Sequence, residues 1–327
     1  MRKVLFSISL FIVFTVAITS CGVHQEEWYH NDKISKEILD SVKIVDDKVL
    51  DSIKNNQEDK LLELGSEAFR NAPENPNVPF SDMSKQIKDK SFDYRDRYYF
   101  ISKEIGDSNF TVNISNDEYI TLEATNTDIF VSLRKSNSNK HDYLLATVYV
   151  KEQGEWKLDR YALKDYSYDE MNALGLYEKA KSLDSQGYKM PAINYGILSV
   201  ITLHPASFLH YKKESEITDF YKKLLADVKN EYTFPQKLKS HNNLEIYSFT
   251  TRNDIEGVIP IVRYVTDIEL SNTEAIDKEV NDINDEVISL YPGMKENFKQ
   301  LIYEAYSEEP VDSKKTYNYY RTTVELK

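Results

Sequence analysis

The chain has 327 residues, with 54 acidic against 41 basic side chains and a formal net charge of −13. This acidity argues against nucleic acid or an anionic lipid surface as the main partner, because like charges repel over about 10 Å at moderate salt. The length is sufficient for two domains. With only 9 glycines and 9 prolines, long flexible linkers and collagen-like segments are excluded.

The beginning of the chain follows the plan of a secretory signal. Arg2 and Lys3 give a positive start, residues 4–18 form an apolar run, and small residues lead into Cys21. An apolar run of about 15 residues is shorter than the roughly 20 that cross a bilayer as a helix. We therefore predict a signal peptide at residues 1–20 and no permanent membrane helix there.

The motif Ile18-Thr19-Ser20-Cys21 resembles the bacterial lipobox, in which signal cleavage leaves a lipid-modified cysteine as the first residue. It departs from the commonest pattern at Ile18, where Leu is usual, and at Ser20, where Gly or Ala is usual. The alternative is an ordinary signal peptide followed by an incidental cysteine. Cys21 is the only cysteine, however, so it has no disulfide partner within the chain. The resemblance implies a membrane anchor at Cys21, because two or more acyl chains hold a protein stably on lipid.

Residues 21–33 are predicted to form a lipidated tether. Glu26 and Glu27 follow Cys21 closely and resemble the acidic export tag of Bacteroidetes lipoproteins. The resemblance implies a place in the bacterial cell envelope, at the outer membrane, on its periplasmic or surface face.

The segment 34–166 is predicted to contain helices followed by strands. Apolar residues at helical spacing predict a helix over 34–55, a second one through Leu61 and Phe69, and a third over 80–90 capped by Ser81. Alternation of apolar and polar residues then predicts half-buried strands. These strands are residues 93–101, 110–114, 119–125, 129–134, 143–151 and 155–162. The order predicts an α+β fold with N-terminal helices on a curved antiparallel sheet.

Two motifs in this segment resemble the nuclear transport factor 2-like fold. One is the NxxDKLL stretch at 56–62, and the other is the hairpin 146–160, which closes with Trp-Lys-Leu. The resemblance implies a cone-like sheet around the N-terminal helices. In an open cone, five aromatic residues would line a ligand-binding interior; in a filled cone they would form a packed core, as strand aromatics more often do. They are Tyr98, Phe100, Phe130, Tyr149 and Trp156.

This fold hosts enzymes as well as binding and scaffold domains, and its enzymatic members place an Asp–His pair or an Asp in the cone. None of the six histidines is predicted to fall on an inward strand position. The sequence has no glycine-rich phosphate loop, no G-x-S-x-G elbow and no H-E-x-x-H motif. His204 and His210 do not share a helical face. We therefore predict no catalytic residue, no metal site and no cofactor.

Residues 167–231 are predicted to form a helical hairpin region that bridges two domains. The predicted helices are 168–183, 191–203 and 214–229. The stretches 176–183, 192–195 and 203–205 resemble a tetratricopeptide-like helix pair, although one copy is too few for a solenoid. Tyr188 and Tyr211 are candidates for exposed contacts with a partner.

The C-terminal domain, residues 232–327, is predicted to be a small β-β-α-α-β sandwich. Its predicted strands are 244–251, 258–270 and 316–326, and its predicted helices are 275–290 and 294–306. Pro260 implies an edge, a bulge or a strand start within the nearly continuous apolar run at 258–262.

The expected function is that of a non-enzymatic cell-envelope lipoprotein that presents its domains, above all the 172–230 hairpin, to an envelope protein partner. The alternative is a lipoprotein that binds a small molecule or a glycan in the cone interior, or a degenerate enzyme of that fold. An interaction module should have an exposed apolar patch of several hundred Å². A ligand-binding protein should have a pocket with convergent polar groups.

Overall fold

The computed structural model describes residues 27–71, 79–103, 105–106, 109–138, 140–239, 244–252, 257–311 and 315–326. Within these ranges the chain combines helices with sheets that are mostly antiparallel, so the predicted α+β class is confirmed. The predicted signal peptide, Cys21 and the first part of the predicted tether lie outside the described residues.

The first helix, α1 (Lys36–Lys54), confirms the prediction for residues 34–55. Ser35 caps it, because the Ser35 side chain accepts a hydrogen bond from the Ile38 N–H at 3.4 Å. Apolar residues three or four apart give it one inward face. They are Val42, Val45, Val49 and Ile53, and all four belong to a core shared with the first sheet.

The predicted second helix is divided in two, α2 (Glu58–Glu63) and α3 (Glu67–Asn71). The division occurs because the backbone between the two helices forms hydrogen bonds with Leu158, a residue of a strand. The Leu158 N–H donates to the Leu64 carbonyl at 2.9 Å, and the Ser66 N–H donates to the Leu158 carbonyl at 2.8 Å. These bonds take backbone groups that a continuous helix would have used internally.

The third helix, α4 (Phe80–Ile87), begins at the predicted residue and ends three residues earlier than predicted. Pro79 occupies the cap position in an extended conformation, and its carbonyl accepts from the N–H of Met83 at 3.3 Å. Ser81 lies inside the first turn, so the prediction that it caps the helix was wrong.

Eight strands lie among the described residues up to position 211. They are β1 (Glu27–His30), β2 (Phe92–Ile101), β3 (Asn109–Asn113), β4 (Glu118–Glu123), β5 (Asp128–Ser136), β6 (His141–Glu152), β7 (Glu155–Tyr168) and β8 (Leu209–Tyr211). The first sheet has the order β1-β2-β5-β6-β7, and a smaller sheet has the order β3-β4-β8. All six strands predicted between 93 and 162 are confirmed. Neither β1 nor β8 was predicted, because three or four residues are too few to show the alternation of apolar and polar side chains.

Strand β1 corrects the prediction of a tether over residues 21–33. Its residues pair antiparallel with β2, with Tyr29 opposite Tyr99 and their rings stacked 6.1 Å apart. A short 3₁₀ helix (Asn31–Lys33) then leads into α1. The part of the predicted tether from Glu27, the second residue of the acidic pair that follows Cys21, to Lys33 is therefore part of the fold.

The first sheet has a different layer on each face. Helix α1 packs on one face, against the sheet side chains of Phe130, Leu145 and Leu158. The smaller sheet covers the other face, where Phe110 and Ile120 join a separate apolar core. Both faces of the sheet are thus buried, as expected for the middle layer of a three-layer arrangement.

Three helices follow, α5 (Ala173–Ser185), α6 (Lys189–Ile201) and α7 (Glu214–Glu231). They share one apolar core with the C-terminal sheet, which agrees with the predicted bridging position. Tyr211 is 2 % exposed, so the prediction of an exposed contact residue is wrong there. Tyr188 is half-buried, and its ring lies so close to Gly293 that a Cβ there would be 2.4 Å from the Tyr188 Cγ.

The C-terminal domain contains a five-stranded sheet and one long helix. Its elements are β9 (Gln236–Lys237), β10 (Glu245–Thr250), β11 (Ile261–Val265), α8 (Thr273–Leu290), α9 (Met294–Asn297), β12 (Gln300–Tyr306) and β13 (Tyr319–Glu325). The strand order is β13-β12-β11-β10-β9, with β11 and β12 parallel and joined through α8. Pro260 directly precedes β11, which agrees with its predicted place at a strand start.

The helix predicted over residues 294–306 is wrong. Only the four residues of α9 are helical, and strand β12 follows. Together with the short β9, this gives the domain five strands, where its predicted plan has three. Met294, Phe298, Leu301 and Ala305 stand three or four apart, which imitates a helical face. The strand forms because it lies between β11 and β13 with its apolar residues buried on both faces.

Candidate functional site

The space between α1 and the first sheet is filled by a buried polar network around Asp46. One Asp46 carboxylate oxygen accepts from Ser132 Oγ at 3.0 Å and from Arg134 Nε at 2.6 Å. The other accepts from Thr147 Oγ1 at 3.2 Å and from the Tyr149 hydroxyl at 2.6 Å. Burial and the Asp46 charge raise the pKa of Tyr149 well above its ordinary value, so its hydroxyl remains a donor. Four donors satisfy the carboxylate and leave it no free position for a ligand.

The five aromatic residues predicted to line a cone interior do not share one cavity. Phe130, Tyr149 and Trp156 lie on the α1 side of the first sheet, whereas Tyr98 and Phe100 lie on the opposite side beneath the smaller sheet. All five are buried, with at most 9 % of each exposed.

A bulge in β2 decides this division. The register between β2 and β5 shifts between Tyr94 and Asp96, so the residues after the bulge exchange faces. Tyr98 and Phe100 therefore point away from α1, while Tyr99 between them points toward it. Side-chain alternation read from the sequence cannot include a bulge that the sequence does not mark.

His141 corrects the expectation that no histidine occupies an inward strand position. It begins β6, is 3 % exposed, and its Nε2 lies 2.7 Å from Asp165 Oδ1. The centre of its ring lies 4.4 Å from that of the Tyr143 ring and 4.3 Å from that of the Tyr168 ring. This is a buried Asp–His pair that packs against two tyrosine rings.

A cleft of about 600 Å³ lies where the first sheet, α6 and the C-terminal sheet meet. We call it the junction cleft. Its floor includes Tyr195 of α6 and Phe298, whose rings are stacked 5.8 Å apart. Its polar lining consists of Lys140, Asp169, Glu170, Asn297, Lys299, Gln300 and Glu325. The volume is within the range of small-molecule sites, about 300–1,000 Å³.

The wall of the cleft nearest the first sheet is a tight turn at Asp169 and Glu170. Tyr168 and Met171 exchange two backbone hydrogen bonds of 3.0 and 2.9 Å, and the two residues between them have φ of 47° and 65°. Two successive residues in the left-handed conformation are most often Asn-Gly, so Asp169 and Glu170 hold a strained backbone conformation here. The turn holds both carboxylates at the cleft.

Asp169 also connects the two halves of the molecule. Its Oδ2 accepts from the Val258 N–H at 3.0 Å, next to the C-terminal sheet. Gly257 has φ of +90°, and a Cβ at that position would be 2.9 Å from Asp169 Oδ1. Glycine is therefore required for this approach.

Tyr195 is the most deeply placed polar group of the cleft, with 6 % of the residue exposed. Burial, together with the nearby charge of Asp169, raises the pKa of Tyr195 to about 12, so the phenol keeps its proton at neutral pH. The Lys179 Nζ lies 5.8 Å above the Tyr195 ring and donates to Asn297 Oδ1 at 3.1 Å. These contacts fix the tyrosine and the amide before any ligand arrives.

The sequence did not indicate this site. Asp169 and Glu170 fall where a helix start was predicted, because the turn lacks the Asn-Gly signal that marks such hairpins. Tyr195 lies in a predicted helix, and Lys299 in a segment predicted as the wrong element. The site appears only when these distant segments meet.

No group of three or more His, Cys, Asp or Glu side chains is arranged to hold a metal ion among the described residues. Glu214 Oε1 lies 3.8 Å from His204 Nδ1 and 3.4 Å from His210 Nδ1, so both histidines lie beside one carboxylate. In the same described part of the chain, no helix combines the length and apolarity needed to cross a membrane.

No family model, curated protein or solved structure matches the chain. The resemblances to the lipobox and to the nuclear transport factor 2-like fold therefore stay predictions, and the function has to be argued from the molecule itself.

Proposed function

We propose that this chain is a non-enzymatic envelope lipoprotein, anchored through acylated Cys21, that binds a small polar ligand in the junction cleft. The observation that carries the binding proposal is the cleft itself, about 600 Å³ with charged, amide and phenol groups converging on it. Between α1 and the first sheet, the buried Asp46 network instead satisfies its polar side chains with one another.

The lining defines the chemistry of the ligand. Lys140 and Lys299 supply cations, and Asp169, Glu170 and Glu325 supply carboxylates. Together with the amides of the lining and the protonated Tyr195, they offer both donors and acceptors at short range. A ligand that itself carries donors and acceptors, such as a zwitterion or a polyhydroxylated molecule, would satisfy them; an apolar ligand would leave them desolvated and unpaired.

A protein partner is the second candidate, and strand β1 favours it. Trp28 and Tyr29 are 45 % and 37 % exposed on an edge strand of the first sheet. Edge strands present unpaired backbone groups to which another chain can add. The edge lies within a few residues of Cys21, so such a partner would be met close to the membrane.

The first experiment compares what copurifies with two forms of the protein. The acylated protein is isolated from its native envelope in mild detergent, beside a soluble form that begins at Gly22, and both are analysed by native mass spectrometry. A small molecule retained at one per chain supports the cleft proposal. A stoichiometric protein and no small molecule would replace it with the second candidate.

The second experiment places the ligand. Lys299→Ala removes an exposed cleft cation, and Lys222→Ala removes a cation on α7 that is also exposed and serves as the matched control. Loss of the ligand from the first variant alone supports the cleft, whereas equal retention in both refutes it. Cys21→Ser tests the anchor separately, since it should move the protein from the membrane to the soluble fraction.

A further inference from the structure

The two faces of the C-terminal sheet pack differently. Among the described residues, the helices contribute to the apolar core on one face, and the small cluster of Ile259, Ile261 and Ile302 on the other face contains no helical residue. Along β12, Leu301, Tyr303 and Ala305 belong to the core shared with α8, and the alternate residues lie on the other face. One of these alternate residues is Glu304, which is completely buried. Its burial comes from the side chains that surround it.

Three arginines contact the Glu304 carboxylate. Arg263 Nε lies 2.8 Å from one oxygen, and Arg321 Nε lies 3.1 Å from the other. Arg252 Nη1 lies 3.5 Å from that second oxygen. The Tyr306 hydroxyl adds a fourth contact at 3.2 Å. One negative charge thus stands among three positive ones, in a chain whose formal net charge is −13.

The carboxylate does not use all the donors that surround it. Among the described residues, Arg263 bonds through Nε alone, and Arg321 bonds through Nε and Nη2. Each guanidinium has five N–H groups. The side chains of Arg263 and Arg321 are 24 % and 32 % exposed, so their remaining N–H groups can reach a ligand.

The surroundings hold these arginines in place. The Arg321 guanidinium lies 5.4 Å from the centre of the Tyr319 ring, and Tyr306 and Tyr319 pack 5.1 Å apart. Opposite Arg263 in the register, Ser248 has a buried hydroxyl with no hydrogen-bond partner in the described part of the chain. A buried hydroxyl needs a hydrogen-bond partner, and the Ser248 hydroxyl lies on the strand paired with Arg263.

We infer that this cluster, which we call the arginine face, binds the oxyanion of a ligand: a phosphate, a sulfate or a carboxylate. Guanidinium groups match oxyanions through paired N–H···O bonds, and two fixed guanidiniums lose little freedom on binding. The site is separate from the junction cleft and does not depend on the proposed function. The two lie on the same sheet, about 13 Å apart along β12 from Gln300 to Glu304 at roughly 3.3 Å per residue.

The test follows the Nε–H signals of Arg263 and Arg321 by NMR in the soluble form, at low ionic strength. Inorganic phosphate, sulfate and acetate are titrated in turn, which distinguishes the three oxyanions. We expect saturable shifts of both signals. Arg321→Gln should weaken binding about tenfold, and Arg321→Lys, which keeps the charge, should weaken it less. Arg160→Gln, a similarly exposed arginine on β7, is the control and should change nothing.

Glu304→Gln gives the opposite prediction, because it removes the competing negative charge. We expect this variant to bind phosphate about tenfold more tightly than the parent protein. Thermal unfolding first confirms that each variant is folded. If Arg321→Gln does not fold, Arg321→Lys replaces it in the comparison with the control. The inference is overturned if no anion shifts the two signals, if Arg321→Gln binds like Arg160→Gln, or if Lys299→Ala in the cleft weakens anion binding as much as Arg321→Gln does.

Discussion

The replacement Asp46→Asn tests whether the polar network under α1 holds the first domain together. Asparagine keeps the shape of the side chain, so no cavity is created. It removes the charge that Arg134 neutralises and turns an NH₂ group toward Arg134 Nε or toward the Tyr149 hydroxyl, which are themselves donors.

The magnitude follows from the burial of both partners. Asp46 is completely buried, and the Arg134 side chain is 6 % exposed. Removing one partner of a buried, hydrogen-bonded ion pair costs about 3–5 kcal/mol, because the other charge stays in a low-dielectric site. Arg134 keeps a contact with Asp47 at 2.5 Å, which places the expected loss toward the lower end, about 3 kcal/mol.

Urea unfolding followed by tryptophan fluorescence measures the loss. The chain has two tryptophans, and Trp156 donates from Nε1 to Ser41 Oγ of α1 at 3.1 Å. In a Trp28→Phe background, the fluorescence change therefore reports separation of α1 from the sheet.

Asp47→Asn is the matched control. Asp47 is the next residue and also contacts Arg134, but its side chain is 45 % exposed. Such an exposed pair contributes about 0.2–1 kcal/mol. If Asp46→Asn costs no more than Asp47→Asn, the network fills space without stabilising the domain, and the reasoning is refuted.

Three further predictions concern the C-terminal half and the cleft. Burial opposes ionisation of Glu304, but hydrogen bonds from Arg321 and Arg263 outweigh it and lower its pKa below 4.5. Acidification below about pH 4.5 should therefore protonate the unfolded chain first and destabilise the fold, and Glu304→Gln should reduce this acid-dependent drop in Tm. Glu170→Gly should relieve the left-handed strain and raise stability by about 1 kcal/mol in urea unfolding, while weakening ligand retention in the cleft; equal or lower stability would contradict the strain argument. Gly293→Ala should lower stability by about 3 kcal/mol, because the added Cβ would overlap the Tyr188 ring and φ is +88°; an unchanged unfolding midpoint would contradict it.

The sequence by itself determined the helices and hairpins whose signals are local. The apolar residues of α1 recur at helical spacing, and Gln153 and Gly154, both with positive φ, form the predicted turn between β6 and β7. Helical periodicity and turn chemistry act between residues a few positions apart, so they remain visible without the fold.

Only the tertiary structure decided which residues meet. Strand β12 carries helix-like spacing and is a strand because β11 and β13 lie beside it. The bulge in β2 sends Tyr98 and Phe100 to the face away from α1. The junction cleft brings Lys140, Tyr195 and Lys299 together, and Glu304 has Arg263 and Arg321 as neighbours across strands. These outcomes depend on strand pairing and packing between segments far apart in the chain, which no local pattern records.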